Sequence, residues 1–314
     1  MKLICPDPDL FSPEIIRKVK KSYHCYIKEL SQENLNKIGS KYDIILTRFS
    51  KYIGKEIMCK NTMVKYILTP VTGLNHIDTK LAKKKNIKII YLKDKKFLKN
   101  VTATAEHTWL LILAAIRKLI PAVNSVKRNK WTPIGFKGQE LQGKNIGIIG
   151  FGRLGKKIGK YAKAFGMNVF FYDKYVKKKK GYRKISSLKS LIKKSNVISI
   201  NSSMTNETYH MINKKNLSGI RKNSIIINTS RGEIINSKDL CEILKKRKVY
   251  AAVDLIEKEN FFYKKKSDPL INYAKKNKNL LITPHIGGFT EESVKKTDIF
   301  IFEKFKSLLT SSKS

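Results

Sequence analysis

The chain has 314 residues, 41% of them hydrophobic and 29% charged, with 66 lysines and arginines against 24 acidic residues for a formal charge of +42. That length suggests about two domains with buried cores, and no apolar run is long enough to span a bilayer: the most apolar stretch, Trp109 to Ile116, sits between Glu106-His107 and Arg117-Lys118. No membrane association is expected, and four scattered cysteines with no C-x-x-C pair speak against both a metal site and a disulfide framework. Met1-Lys2-Leu3-Ile4-Cys5-Pro6-Asp7 lacks the apolar core of a secretory signal, so a cytoplasmic location is expected. The positive charge attracts polyanions in general. Its lysines are nevertheless spread along the whole chain, locally as Lys83-Lys84-Lys85 and Lys177 to Lys180, without a basic arm or an aromatic-interleaved patch. No specific nucleic-acid partner is therefore expected, and the abundance of lysine, isoleucine and asparagine reads as the bias of an AT-rich coding sequence on solvated faces.

In chain order, short β-branched runs alternate with helical patterns, the sign of parallel α/β sheets. Strands are predicted at Lys2 to Cys5, His24 to Ile27, Asp43 to Thr47, Lys65 to Thr69 and Lys88 to Tyr91, and Ser12 with Pro13 opens a helix as its N-cap and first helical position. A long helical pattern from about Thr102 to Leu119 follows. The run Asn145 to Ile149 then leads into Gly150-Phe151-Gly152-Arg153-Leu154-Gly155 and an amphipathic helix carrying Leu154, Ile158, Tyr161, Ala162 and Phe165. Further strands are predicted near Asn168 to Tyr172, Asn196 to Ile200, Ser224 to Asn228, Val249 to Asp254 and Asn279 to Thr283, giving the second sheet the six strands of a full Rossmann domain. The last helix, about Glu291 to Leu309, comes after that sheet is complete and is expected to return to the first domain. The expected fold is thus α/β, with two doubly wound parallel-sheet domains: a flavodoxin-like substrate domain over residues 1–100 and 287–314, and a Rossmann cofactor domain over 101–286. Two chain crossings between domains imply a cleft with a hinge.

The glycine run carries the most specific chemistry. Between a strand and a helix, Gly150 permits the tight turn, Gly152 lets backbone approach a pyrophosphate, and Gly155 lets helix and strand pack closely. The helix N-terminus adds free N–H donors. Asp173, 23 residues beyond Gly150 and at the end of the next apolar run, is placed to accept from an adenosine ribose. Its carboxylate would repel a 2'-phosphate, so NAD is the expected cofactor. Three further strand ends carry polar residues: Asn228-Thr229-Ser230-Arg231-Gly232, Asp254-Leu255-Ile256-Glu257-Lys258-Glu259 and Thr283-Pro284-His285-Ile286-Gly287-Gly288. Taken singly, Glu259 reads as a solvated loop charge, and for Arg231 that is the weaker of two readings. Converging beside a nicotinamide they would make a carbonyl-reducing site, with Arg231 polarising a 2-oxo carboxylate, His285 exchanging the proton, and Glu259 holding the imidazole. No metal is called for, since arginine and histidine supply the electrostatic and proton work.

At these residues the chain resembles the D-isomer-specific 2-hydroxyacid dehydrogenases, most closely their phosphoglycerate dehydrogenase-like branch. The resemblance runs over nearly the full length, through Thr72-Gly73-Leu74-Asn75-His76-Ile77-Asp78, Thr104-Ala105-Glu106-His107-Thr108, Gly150 to Gly155, Asn228 to Gly232 and Thr283 to Gly288. It implies catalysis by Arg231, Glu259 and His285. Cofactor contacts are implied at Arg153, Leu154, Asp173, Thr229, Asp254 and Gly288. Backbone near Thr72 and Gly73 matches the loop that grips the substrate carboxylate, and Arg48 matches an arginine near substrate in some phosphoglycerate enzymes. The family's Glu-Pro reads Glu259-Asn260 here, with Glu257 two residues away, and the offset of five from Asp254 favours Glu259. Its His-x-Pro reads Asn201-Ser202-Ser203. The resemblance implies a D-2-hydroxy acid or its 2-oxo partner as substrate, and a homodimer through the helix near Thr102 and the arm carrying Trp131. With nothing after Ser314 to serve as a regulatory domain, distal feedback control is not expected. Phosphite and formate dehydrogenases share the architecture; glutamate at 259 speaks against the formate type and leaves the phosphite type open. An NAD(H)-sensing corepressor or binding protein is the alternative from outside the enzymes.

Overall fold

In the computed structural model, which describes residues 1–259 and 267–311, the Ser12 side chain accepts from the Ile15 amide and Pro13 takes the first position of the helix Pro13–Ser22. The same logic of caps and apolar runs repeats along the chain, and the result divides into two compact units: Met1–Val101 with Phe289–Ser314, and Thr102–Gly288.

In the first unit, β1 (Lys2–Cys5), β2 (His24–Ile27), β3 (Ile44–Leu46), β4 (Tyr66–Thr69) and β5 (Lys88–Tyr91) form a parallel sheet in the order β2-β1-β3-β4-β5. This is the flavodoxin-like order. Alternate side chains leave opposite faces. Leu3, Cys5, Ile44 and Leu68 pack with Ile15, Val19 and, from the C-terminal helix Glu291–Ser311, Ile301, Phe302 and Phe305. Ile4, Ile45 and Ile67 turn the other way, to Leu35, Ile53, Ile57 and Ala82.

The second unit is built on β6 (Asn145–Ile149), β7 (Asn168–Tyr172), β8 (Arg183–Lys184), β9 (Val197–Ile200), β10 (Ile225–Asn228), β11 (Tyr250–Val253) and β12 (Leu280–Ile282). Among the described residues the sheet has seven strands, all parallel, in the order β12-β11-β10-β9-β6-β7-β8. The strand order reverses between β6 and β9, which is where a doubly wound sheet offers its binding crevice. β8 is the strand that the sequence does not predict. Its two residues pair with Phe170 and Phe171 at the sheet edge and carry no apolar alternation of their own.

Candidate active site

Three glycines after β6 divide the work of the turn. Gly150 has φ +85, and a Cβ there would also come within 2.8 Å of the Asn201 backbone. A Cβ on Gly155, in the first turn of the helix Arg153–Ala164, would run into the Gly150 carbonyl oxygen. Gly152 is different, because among the described residues nothing beyond its own chain neighbours lies within 4 Å of the position its Cβ would take. Internal packing thus demands glycine at 150 and 155, while the open space at 152, at the start of that helix, fits a backbone that a phosphate group approaches. Asn201 adds a buried Oδ1 without a hydrogen-bond partner among the described residues, beside the Gly150 turn. The residues present therefore fit a dinucleotide.

Asp173 ties this turn to the end of β7. Its Oδ2 accepts from the Phe151 amide at 2.6 Å, and its Oδ1 from the amides of Tyr175 and Val176, both at 2.8 Å. Burial alone would push the Asp173 carboxyl up, but the amides of Val176, Phe151 and Tyr175 outweigh it and hold the group below its ordinary value. Arg153 is half-buried, and desolvation presses its guanidinium down, while Leu154 packs against the core beneath the turn. Thr229 is buried at the end of β10, its hydroxyl 2.7 Å from that of Thr108.

The ends of β10, β11 and β12 carry the polar residues read from the sequence. His285 Nδ1 lies 2.9 Å from Glu259 Oε1. Arg231 donates from Nη1 to its neighbour's carbonyl, Ser230 O, at 2.5 Å. Desolvation lowers its guanidinium, against which the carboxylates of Glu259 and Glu233 push back. An imidazole, a carboxylate and a desolvated cation are thus electrostatically coupled within one unit.

Asp254 does more than the sequence reading assigns to it. Its Oδ1 accepts from the Ile286 amide at 2.9 Å and the Thr283 hydroxyl at 2.5 Å, and its Oδ2 from the Gly287 amide at 2.8 Å. His107 Nε2 stands 3.3 Å from Oδ1 and 3.0 Å from the Thr283 hydroxyl. Burial would raise the Asp254 carboxyl, and the hydrogen bonds from His107, Thr283 and Gly287 hold it below its ordinary value. The carboxylate thereby fastens the whole loop that presents His285. A Cβ on Gly287 would come within 2.8 Å of Asp254 Oδ2, whereas at Gly288 the nearest atom, the Thr104 hydroxyl, is 3.7 Å away. His107, Thr108 and Thr283 have site roles that sequence reasoning left unassigned. The available signal was the polar cluster Thr104, Glu106, His107 and Thr108 in the first half of a helix whose second half is apolar.

In the first unit, Thr72 and Gly73 lie on the loop after β4, with Thr72 exposed. Arg48 takes an interior position: it is buried, its Nη2 2.7 Å from Asp298 Oδ1 and 3.3 Å from the Thr297 hydroxyl. That commitment pins the C-terminal helix to the segment that follows β3, the central strand, a structural task the sequence did not suggest. Asn260 lies outside the described residues.

A family model described as D-isomer specific 2-hydroxyacid dehydrogenase, NAD binding domain, matches residues 109–287. The D-3-phosphoglycerate dehydrogenase of Methanocaldococcus jannaschii is 33% identical over 285 residues, covering 89% of this chain and 52% of that protein. The hydroxypyruvate reductase of Thermotoga maritima is 32% identical over 283 residues, 90% of each. The chain therefore spans about half the length of the first relative and nearly all of the second. Among solved structures, D-lactate dehydrogenase from Aquifex aeolicus, complexed with NAD and lactic acid, superposes with a TM-score of 0.83 at 26% identity, over 99% of this chain and 96% of that one.

Proposed function

The chain belongs to the D-isomer-specific 2-hydroxyacid dehydrogenases, and from that premise we propose that it is an NAD-dependent oxidoreductase acting at C2 of a D-2-hydroxy acid or its 2-oxo partner. The observation that carries this reading is the His285–Glu259 pair at 2.9 Å, coupled to the desolvated Arg231. When bound, NAD supplies or accepts the hydride. The glycine turn 150–155, Arg153, Leu154, Asp173, Thr229, Asp254 and Gly288 would hold it.

The chain's own residues divide the remaining work. Arg231 binds the substrate carboxylate and stabilises charge developing on the carbonyl oxygen, an effect that desolvation strengthens. His285 gives its proton to that oxygen in reduction and takes it back in oxidation, and Glu259 orients the ring and balances the charge it carries. Thr72 and Gly73 are the proposed grip on the carboxylate. Arg48, with its Nη2 held by Asp298 and Thr297, acts on this reading by fixing the first unit's interior.

Which acid is used depends on the side chains around C3, and the relatives differ in it by name. The test is a panel of glyoxylate, hydroxypyruvate, pyruvate and 3-phosphohydroxypyruvate with NADH, followed by NADH oxidation. Turnover of at least one is expected, and the ratio of kcat/KM values ranks them. Tight NADH binding with no turnover on any 2-oxo acid would move the reading to an NAD(H)-sensing binding protein, and reduction of NAD+ by phosphite, assayed separately, with no 2-oxo acid turnover would move it to the phosphite type.

A further inference from the structure

Glu257 and Glu259 flank a single residue, and they face different partners. Lys258 between them has φ +54, so the two carboxylates diverge: Glu259 meets His285, and Glu257 meets His210, whose Nε2 is 3.0 Å from Glu257 Oε2. Glu257 Oε1 also accepts from the Ser237 amide at 2.7 Å, at the start of the helix Ser237–Lys246. Asn236 settles the tautomer of His210. Its Oδ1 accepts from the Asp239 amide at 3.1 Å, so its Nδ2 presents a donor to His210 Nδ1, 3.3 Å away. Nδ1 accordingly accepts, and Nε2 bears the proton that Glu257 receives.

The same histidine is bound to the arginine loop. Its amide donates to the Glu233 carbonyl at 2.9 Å, and the Tyr209 ring stacks on it with centroids 4.0 Å apart. Glu233 then accepts at Oε1 from the Lys258 amide at 3.1 Å. A Cβ on Gly232 would run into the Ile256 backbone. The segment from Arg231 to Glu233 and the segment from Ile256 to Glu259 are therefore packed backbone to backbone, with the His210–Glu257 contact closing their outer side.

We propose that His210 and Glu257 form a positioning latch, holding the Asp254-to-Glu259 loop against the Arg231 loop so that Glu259 reaches His285. This rests on the function proposed above and adds two residues to it. Neither touches the reacting groups. Their effect is transmitted through Glu259, so loss of the latch lets that carboxylate drift while the dinucleotide turn at 150–155 stays intact.

The test compares Glu257→Gln, His210→Ala, His210→Gln, Glu259→Gln and the Glu257→Gln/Glu259→Gln double variant in the full chain, measuring kcat and KM for a 2-oxo acid, NADH affinity and melting temperature. Glu257→Gln and His210→Ala are expected to lower kcat roughly 10- to 100-fold, the scale of a small misplacement of a reacting group, while NADH affinity changes less than about threefold. In the Glu259→Gln background, Glu257→Gln should add less than about threefold, because the two act on one step. His210→Gln, whose amide still donates to Glu257, should recover most of the kcat lost in His210→Ala. Independent, multiplicative losses from Glu257→Gln and Glu259→Gln overturn the proposal, as does wild-type kcat in Glu257→Gln. Failure of the enzymatic reading appears separately, as no 2-oxo acid turnover by the unaltered chain. The latch is then read from the His285 ring resonances: Glu257→Gln moving them as Glu259→Gln does supports it, and leaving them in place overturns it.

Discussion

His285 has φ +55, a conformation that costs a residue with a Cβ on the order of 1–3 kcal/mol unless its surroundings enforce it. Here they do. Its amide donates to the Asp254 carbonyl at 2.8 Å, and the Asp254 side chain takes the amides of Ile286 and Gly287. The imidazole of this enforced residue ends 2.9 Å from Glu259 Oε1, which is the reason to expect the ring, and not the backbone, to carry the chemistry. His285→Ala should cut turnover by roughly two to four orders of magnitude, the range for general acid–base catalysis, with NADH affinity nearly unchanged because the glycine turn and Asp173 are untouched. Full activity in that variant would sink the mechanism. Asp254 makes a second prediction, with a sign fixed by its hydrogen bonds. A carboxyl held below its ordinary value of 3.8 contributes stability that is present above that value and lost as the pH falls through its lower folded value. Asp254→Asn should therefore destabilise the protein by roughly 2 kcal/mol at pH 7, and the gap to the unaltered chain should shrink as both are melted at successively lower pH, below about 4. A gap that is constant across pH would mean that charge is not what the loop amides require.

At the scale of the element, the glycine turn separates folding from binding in a way that melting and affinity can distinguish. Gly155→Ala forces a Cβ against the Gly150 carbonyl oxygen, a backbone atom that cannot swing aside, and should cost roughly 1–3 kcal/mol. Gly152→Ala meets no atom of the described residues beyond its chain neighbours within 4 Å, so it should stay within about 0.5 kcal/mol of the unaltered chain and weaken NADH binding instead. If Gly152→Ala lost stability and kept its affinity, the open space there would not be a cofactor's. The difference between these glycines is not in the sequence, where they are three members of one spacing. What is legible there is the strand that leads in: β1, β2, β5, β6 and β7 begin and end at the predicted residues, because each is a β-branched or aromatic run bounded by polar or turn residues. β8 is illegible for the opposite reason, since Arg183 and Lys184 join the sheet only because Phe170 and Phe171 leave an edge to pair with. The same division runs through the site. Residue type and position at strand ends single out His285, Arg231 and a glutamate of the Asp254 loop, and the resemblance to the family, whose glutamate stands five residues after the aspartate, prefers Glu259 to Glu257. The loop-fastening role of Asp254 and the interior pairing of Arg48 with Asp298 depend on which amides and side chains the folded loops bring within reach, and no local pattern encodes that.

For the whole molecule, large apolar side chains stay uncovered at both places through which the dimer is expected: on the helix near Thr102, where Leu110 is 54% exposed, and towards the arm carrying Trp131. In Ala103–Ile116, Trp109, Leu111 and Ile112 are buried within their own unit, Trp109 packing edge-on to Tyr161. Leu110 on the same helix is uncovered, and more follow it: Leu119, Ile120, Val123 and Val126 on the helix Leu119–Val126, then Trp131 at 91% and Ile134 at 83% exposure. Leu119, Val123 and Val126 recur at helical spacing and so share one stripe. Fully burying a side chain of this size is worth about 1.5–3 kcal/mol, and a twofold axis buries each residue twice, so a second copy of this chain is the proposed partner. The opposing force is charge, since two chains of +42 repel each other and Lys127, Arg128 and Lys130 border the stripe. Salt screens that repulsion, with a Debye length of about 10 Å at 0.1 M and about 3 Å at 1 M, and leaves apolar burial in place. The dimer should therefore tighten as salt is raised, the reverse of an assembly held by ion pairs. Sedimentation velocity at micromolar concentration should find mostly dimer at moderate salt, a larger monomer fraction at low salt, and monomer throughout for Val123→Lys. A chain that stays monomeric at every salt concentration, or that dissociates as salt rises, would leave this stripe without the role argued for it.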